Sequence, residues 1–172
     1  PTLAALVDAL GGARVLCVGD IMLDRFVYGA VERISPEAPI PVLHVEHEAN
    51  MLGGAGNVVR NLAALGAGGT LVAAVADDPA GRDVRDLVAA EGGIGATLVT
   101  VGDRDTAIKT RYLAGTQQMM RADRETVAPL SPADAARIVE AATAAMADCA
   151  VVVLSDYGKG VLCDAVVAPL LA

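Results

Sequence analysis

Aromatic side chains are nearly missing from this sequence: its 172 residues include no Trp, one Phe and three Tyr. Proteins that hold single-stranded nucleic acid stack bases on aromatic rings, so that class of partner is disfavoured. Cysteine is scarce too. Cys17, Cys149 and Cys163 form no CxxC pair and leave an odd count, which argues against a disulfide framework or a zinc ribbon. Cys17 and Cys149 sit in or beside apolar runs and read as buried thiols. A reducing cytoplasm is the expected compartment. Basic residues are outnumbered 13 to 21, and the net charge of −8 disfavours DNA and anionic membranes. A small anion could still be held by a local basic cluster. No apolar run approaches the roughly 20 residues of a transmembrane helix. The N-terminal PTLAALVDALGG contains Asp8 and no basic segment, so no signal peptide is expected. His44 and His47 lack metal-ligand partner spacing, and no metal site is expected.

What is present is small and aliphatic. Hydrophobic residues make up 54%, and 34 Ala and 18 Gly imply close packing of helices on sheets. The length suits one domain, since domains cluster near ~100–150 residues, and no disulfide or metal staple is needed.

Apolar runs and helical patterns alternate. RVLCVG (14–19), TLVAAVA (70–76), TLVTV (97–101) and CAVVVLSD (149–156) read as strands, with VVVLS buried on both faces. Helices are expected over about 2–10, 57–65, 80–91 and from Ser131-Pro132 to about 147, with a last one starting near Val161. Two segments break the rhythm. PVLHVEHE (41–48) alternates as a strand with one wet face, and 106–123 looks like a hairpin around Gly115. The expected fold is a doubly wound α/β sheet, with both irregular strand pairs joined in one small projecting sheet. Ligands of such sheets bind beyond the carboxyl ends of the strands.

Four polar stretches lie at or near those ends or on the hairpin. In GDIMLD (19–24), Asp20 and Asp24 could accept from vicinal sugar hydroxyls; Asp20 reads equally well as a turn cap. LGGAGNVVRNLAALG (52–66) lets a ligand approach backbone at Gly53 and Gly54, or is a close-packing turn. It carries neither a Walker A lysine nor GxGxxG spacing. In 108–125, Lys109 and Arg111 share a face, and Gln117, Gln118 and Arg121 add donors across the hairpin. That cluster suits a phosphate-bearing substrate or is a solvated face. SDYGKG (155–160) puts Asp156 and Lys159 at the ligand edge, or is a turn with a helix cap.

Taken together, GDIMLDRFVYG, RISPEAPIPVLHV, GGAGNVVRNLAALG, IKTRYLAGTQQMMRADRE and SDYGKGVL resemble the ribokinase-like (PfkB) carbohydrate kinases, and within them the heptose 7-phosphate kinases. The resemblance spans Arg14 to about Leu162. RISPEAPIPV and the QQ…R…D pattern point to the heptose group, whereas GG…N points only to the wider family. The resemblance implies a domain with a β-lid (about 24–50 and 106–123) through which two protomers clasp. It implies ATP and Mg²⁺ as the phosphoryl source, with transfer to the anomeric hydroxyl of heptose 7-phosphate on the route to ADP-heptose and lipopolysaccharide. Asp24, Gly53, Gly54 and Asn57 match sugar-site positions. Lys109, Arg111 and Arg121 match the lid positions for the 7-phosphate, Gln118 is expected to bind substrate with them, and Asp156 and Lys159 match the loop near phosphate transfer. The family's GAGD motif, with its anion hole and catalytic base, has no counterpart: Gly66–Gly68 is followed by Gly69, and Gly54–Gly56 by Asn57. Residues 1–172 are therefore expected to be the N-terminal, sugar-binding and dimerising part of one kinase domain, inactive alone.

Overall fold

A computed structural model describes residues 2–172. In chain order the elements are α1 (Leu3–Ala9), a 3-10 turn (Leu10–Gly12), β1 (Arg14–Gly19), β2 (Ile21–Ile34), β3 (Pro41–Gly54), α2 (Ala55–Ala64), β4 (Gly68–Ala76) and α3 (Pro79–Ala90). They continue with β5 (Ile94–Val101), β6 (Ile108–Ala114), β7 (Gln117–Arg124), α4 (Pro132–Met146), β8 (Val151–Ser155) and α5 (Asp164–Leu171).

The chain builds two four-stranded sheets. The first has the order β5-β4-β1-β8 and is parallel throughout. Alternate residues of its central strands point to opposite sides, as the pleat requires. Leu16, Val18, Val72 and Ala74 pack under α4 against Ala135, Ile138 and Ala142. Cys17, Leu71, Ala73 and Val75 pack under α2 and α3 against Ala55, Val59, Ala80 and Val84. Small side chains on both helical layers let the layers close on the sheet with few rings. Burial pushes the Cys17 thiol up to about 11, so it is an inert core group. Cys149 and Cys163 are half-buried. No helix among the described residues is long and apolar enough to cross a membrane.

The second sheet, with the order β3-β2-β6-β7, is the lid. β2 and β3 form a long hairpin, β6 and β7 a short one, and β2 pairs with β6 in parallel. This joins the two irregular strand pairs as their sequence suggested. Asp83 of α3 ties the hairpin down: its Oδ2 accepts from Arg25 and Asn50, both at 3.2 Å. Asp78 caps α3 by accepting from Gly81 N–H at 2.6 Å, and accepts from Thr106 N–H at 2.9 Å just before β6. Burial raises the Asp78 pKa, but the Thr106 and Gly81 bonds, with Arg82, outweigh it and hold the carboxyl below its usual value.

Several expectations need correction. Only Asp20 separates β1 from β2, so most of GDIMLD is strand rather than connection. PVLHVEHE shows no buried face; most of it is exposed because no second layer covers the outer lid. His44 and His47 are exposed as expected, and His47 stacks on Tyr28 at 4.6 Å between ring centroids. VVVLS is not buried on both faces: Val151 is 53% and Val152 38% exposed, because β8 is an edge strand. α2 starts at Ala55, two residues early. The last helix starts at Asp164 rather than near Val161, because Gly158 and Gly160 take positive φ and carry the chain through a loop first.

Candidate functional site

The candidate site lies where the inner end of the lid meets the carboxyl ends of the parallel strands. Asp24 on β2 is in register with Lys109 on β6, and Phe26 with Arg111. Asp24 and Arg111 therefore share a lid face, and Arg111 donates to Asp24 Oδ1 at 2.5 Å. The Arg111 guanidinium also sits over the Phe26 ring, 5.2 Å from its centroid, so the sole phenylalanine fixes the arginine's height above the sheet. Gly53, opposite Met22 on β3, is packed against Asp24; a methyl group there would fall 2.6 Å from Oδ2. Gly54 turns the chain with φ 58, which lets Ala55 N–H donate to the Asp20 carbonyl at 2.9 Å.

Beside this pair lies a mixed-charge cluster. Lys109 is opposite Asp123 across the β6–β7 hairpin, and its Nζ lies 3.4 Å from Asp123 Oδ2 and 3.9 Å from Glu125 Oε2. Arg121 makes two bonds to Asp123, at 2.8 and 3.0 Å. Lys159 Nζ donates to Glu125 Oε1 at 2.7 Å, which connects the SDYGKG loop to the lid. Desolvation raises the Asp123 pKa, but Arg121 and Lys109 overcome that and hold the carboxyl below its usual value. The cluster is thus a set of charged pairs, with cations already facing oxygen anions.

Asp24, Gly53, Lys109, Arg111, Arg121 and Lys159 are brought together directly or through these carboxylates. Three of the expected residues stand apart. Asn57 is exposed on α2 and lines a groove with Met51, Arg60 and Glu91. Gln118 is exposed, opposite Leu113 toward the outer end of the lid. Asp156 is exposed, and its Oδ1 accepts from Gly158 N–H at 2.7 Å in a local turn.

Three participants, Asp123, Glu125 and Arg104, were not singled out from the sequence, and a fourth, Asp20, takes a different part from the hydroxyl acceptor it could have been. Asp123 and Glu125 sit inside the stretch read for its cations, and their acidic spacing on β7 was the available signal. Asp20, readable as an acceptor for sugar hydroxyls or as a turn cap, is 1% exposed, and its carboxylate accepts from the backbone N–H groups of Tyr157, Lys159 and Val161, so it holds a loop as the second reading had it. Arg104 had no signal: it lies in a short polar loop, DRD, and reaches its partners only through tertiary structure.

Residues 13–168 match the model of the pfkB family carbohydrate kinases. Among curated proteins, the chain is 54% identical over 165 residues to the Bifunctional protein HldE of Paramagnetospirillum magneticum, covering 96% of this chain and 34% of that protein. It is 51% identical over 172 residues to the protein of the same name from Rhodospirillum rubrum, covering all of this chain and 35% of that one. The chain thus spans about a third of the length of these relatives. Among solved structures, it is similar in fold to a phosphofructokinase-2 from Escherichia coli in complex with fructose-6-phosphate (TM-score 0.62, 19% identity, 83% of this chain and 45% of that one). A carbohydrate kinase from Agrobacterium tumefaciens is similar to a like extent (TM-score 0.60, 21% identity, 83% and 45%). These two likenesses support a ribokinase-like fold.

Proposed function

Since the chain belongs to the pfkB family of carbohydrate kinases, we propose that it forms the sugar-phosphate side of an ATP-dependent kinase acting on the anomeric hydroxyl of heptose 7-phosphate. The observation that carries this reading is the Asp24–Arg111 pair beside the Lys109, Arg121 and Lys159 cluster. A carboxylate is the natural acceptor for vicinal hydroxyls, and the Arg111 guanidinium with Lys109 and Arg121 suits a terminal phosphate, Lys159 reaching the cluster through Glu125. Binding then exchanges partners: the sugar hydroxyls take Asp24, while the phosphate takes cations now held by Asp24 and Asp123. Gly53 keeps the backbone close enough for a sugar to lie on it. Heptose as the sugar rests on the RISPEAPIPV and QQ…R…D motifs; the half-buried Asp24 and the lid cations would also accept another phosphorylated sugar.

ATP supplies the phosphoryl group in this reading, with Mg²⁺ balancing its charge. Among the described residues no three His, Cys, Asp or Glu side chains come together as a metal-binding group. The part this reading assigns to Asp24, Lys109, Arg111 and Arg121 is the sugar side: binding, orienting and neutralising. With no GAGD sequence to supply the base, the 172 residues alone are expected to bind but not to phosphorylate. We also assign the outer lid to self-association, supported by an apolar hollow of about 420 Å³ between Val31, Ile40, Leu43, Tyr112, Met119 and Met120.

The test is Lys109→Ala with Arg111→Ala in a full-length protein that carries these residues. Loss of two charge-assisted contacts is expected to raise the KM for heptose 7-phosphate by roughly a hundredfold. An unchanged KM would refute the assignment of these cations to the phosphate. A substrate panel in which another sugar phosphate outperforms heptose 7-phosphate would move the sugar and keep the site.

A further inference from the structure

The loop from Asp156 to Gly160 buries little of itself, and Asp156, Tyr157 and Gly158 are exposed. Its shape comes from polar bonds rather than from apolar packing, and two charged side chains, Asp20 and Arg104, meet at the backbone of Lys159. Asp20 lies behind it, 1% exposed. Its Oδ2 accepts from Tyr157 N–H at 2.9 Å and Lys159 N–H at 3.0 Å, and its Oδ1 from Val161 N–H at 3.1 Å. Three donors from alternate residues converge on one side chain. An ionised carboxylate, which has acceptors and no donors, satisfies all three, whereas an amide would turn its own NH₂ toward some of them.

Arg104 approaches from the other side, its side chain 8% exposed. It donates to the Lys159 carbonyl at 3.1 Å and to the Ala128 and Pro129 carbonyls at 3.0 and 2.9 Å. The backbone of Lys159 is thus held at both ends, its N–H by an anion and its C=O by a cation. The next residue must be glycine: Gly160 has φ 94, and a side chain there would run into the Ala128 carbonyl. Buried charges cost stability unless fully satisfied; here Asp20 serves this loop with both oxygens, and Arg104, which also pairs with Asp103, joins the loop to the Ala128–Pro129 segment, so the loop's placement is specified from two sides.

We propose that Asp20 and Arg104 are positioning residues that fix the Lys159 backbone, and with it the ammonium group presented beside the sugar-phosphate site. This rests on the kinase reading above, in which the Ser155–Gly160 loop borders phosphoryl transfer. Lys159 Nζ is also the group that meets Glu125 of the lid side, so its placement sets how loop and lid meet.

The experiment combines hydrogen–deuterium exchange with steady-state kinetics on a full-length protein carrying these residues. Asp20→Asn is expected to speed exchange over 157–161 by about tenfold while β1 and β4 stay protected. It is also expected to lower kcat by about tenfold or more, with the KM for the sugar phosphate moving less than about threefold. Arg104→Gln should act in the same direction and more weakly, and Arg104→Lys should restore part of the loss. Unchanged exchange in both variants overturns the proposal, as does unchanged kcat with a loosened loop. So does a loss of kcat that tracks general unfolding of the main sheet in both. If Asp20→Asn does not fold, Arg104→Gln, which leaves the carboxylate in place, decides. If the unsubstituted protein phosphorylates no sugar phosphate, the kinase reading falls and exchange alone still decides whether the clamp exists.

Discussion

Gly53 has no side chain at the point where a methyl group would fall 2.6 Å from Oδ2 of Asp24 and 2.8 Å from Cγ of Met22. The nearest neighbours are side-chain atoms rather than backbone, so alanine can be accommodated by moving Asp24 and Met22 rather than by unfolding the strand. Asp24 is also the partner of Arg111, so moving it disturbs both ends of the proposed sugar phosphate. Gly53→Ala is expected to raise the KM for the sugar phosphate by about tenfold or more while the melting temperature falls only a few degrees. A melting temperature that collapses with unchanged KM would make Gly53 a folding residue only. At this scale the sequence was informative where chemistry is local. Asp24, Lys109, Arg111 and Lys159 lie in short polar stretches at the ends of apolar runs, and all four reach the site. Asn57, Gln118 and Asp156 fitted their motifs equally well yet stand apart, because a motif fixes residue type but not the direction in which a helix or hairpin presents it.

The long hairpin of the lid is tied to α3 by one small polar network, above a base where Ile21, Leu23 and Leu52 share a core cluster with Ala80 and Val84. Arg25 donates to Asn50 Oδ1 and to Asp83 Oδ2, each at 3.2 Å, so both strands of the long hairpin reach the same carboxylate on α3. The ion pair is about a third exposed, 30% and 37% on its two sides, so its contribution to global stability is small. Its contribution to lid orientation is larger, since it is the polar tie between the hairpin beyond its buried base and α3. Asp83→Ala is expected to cost less than about 1 kcal/mol of stability and to speed amide exchange in β2 and β3 selectively. Equal exchange across both sheets would show that the lid needs no such tether. Element by element, strands with both faces covered were the most legible, because continuous apolar runs have few other homes. The lid was legible as strands but not as layers: PVLHVEHE alternates like a half-buried strand, although no layer covers it. Alternation records which face is apolar, and what covers that face is decided by parts of the protein far away in sequence.

On the scale of the whole molecule, several apolar side chains face outward among the described residues, and two such surfaces bear on self-association. One is the outer lid, with Ile40 56%, Met119 41% and Met120 55% exposed; the other is the β8 edge at Val151 and Val152. Either could draw copies together, and they are separable by charge. The 172 residues are expected to sediment as a dimer that Met120→Glu with Ile40→Glu converts to monomer, while Val152→Lys leaves the dimer intact. The opposite pattern would assign self-association to the open strand edge. The site itself draws on distant parts of the chain. Asp24 and Arg111 are 87 positions apart, and Asp20 and Val161 are 141 apart. β3, α2, β4, α3 and β5 lie between β2 and its parallel partner β6 in the chain. Closing such long loops is entropically costly and slow, which places this pairing late in folding. During synthesis the long hairpin therefore emerges first and waits with one edge unpaired. A partly folded chain can own a complete hydrophobic core and still have no place to hold a sugar.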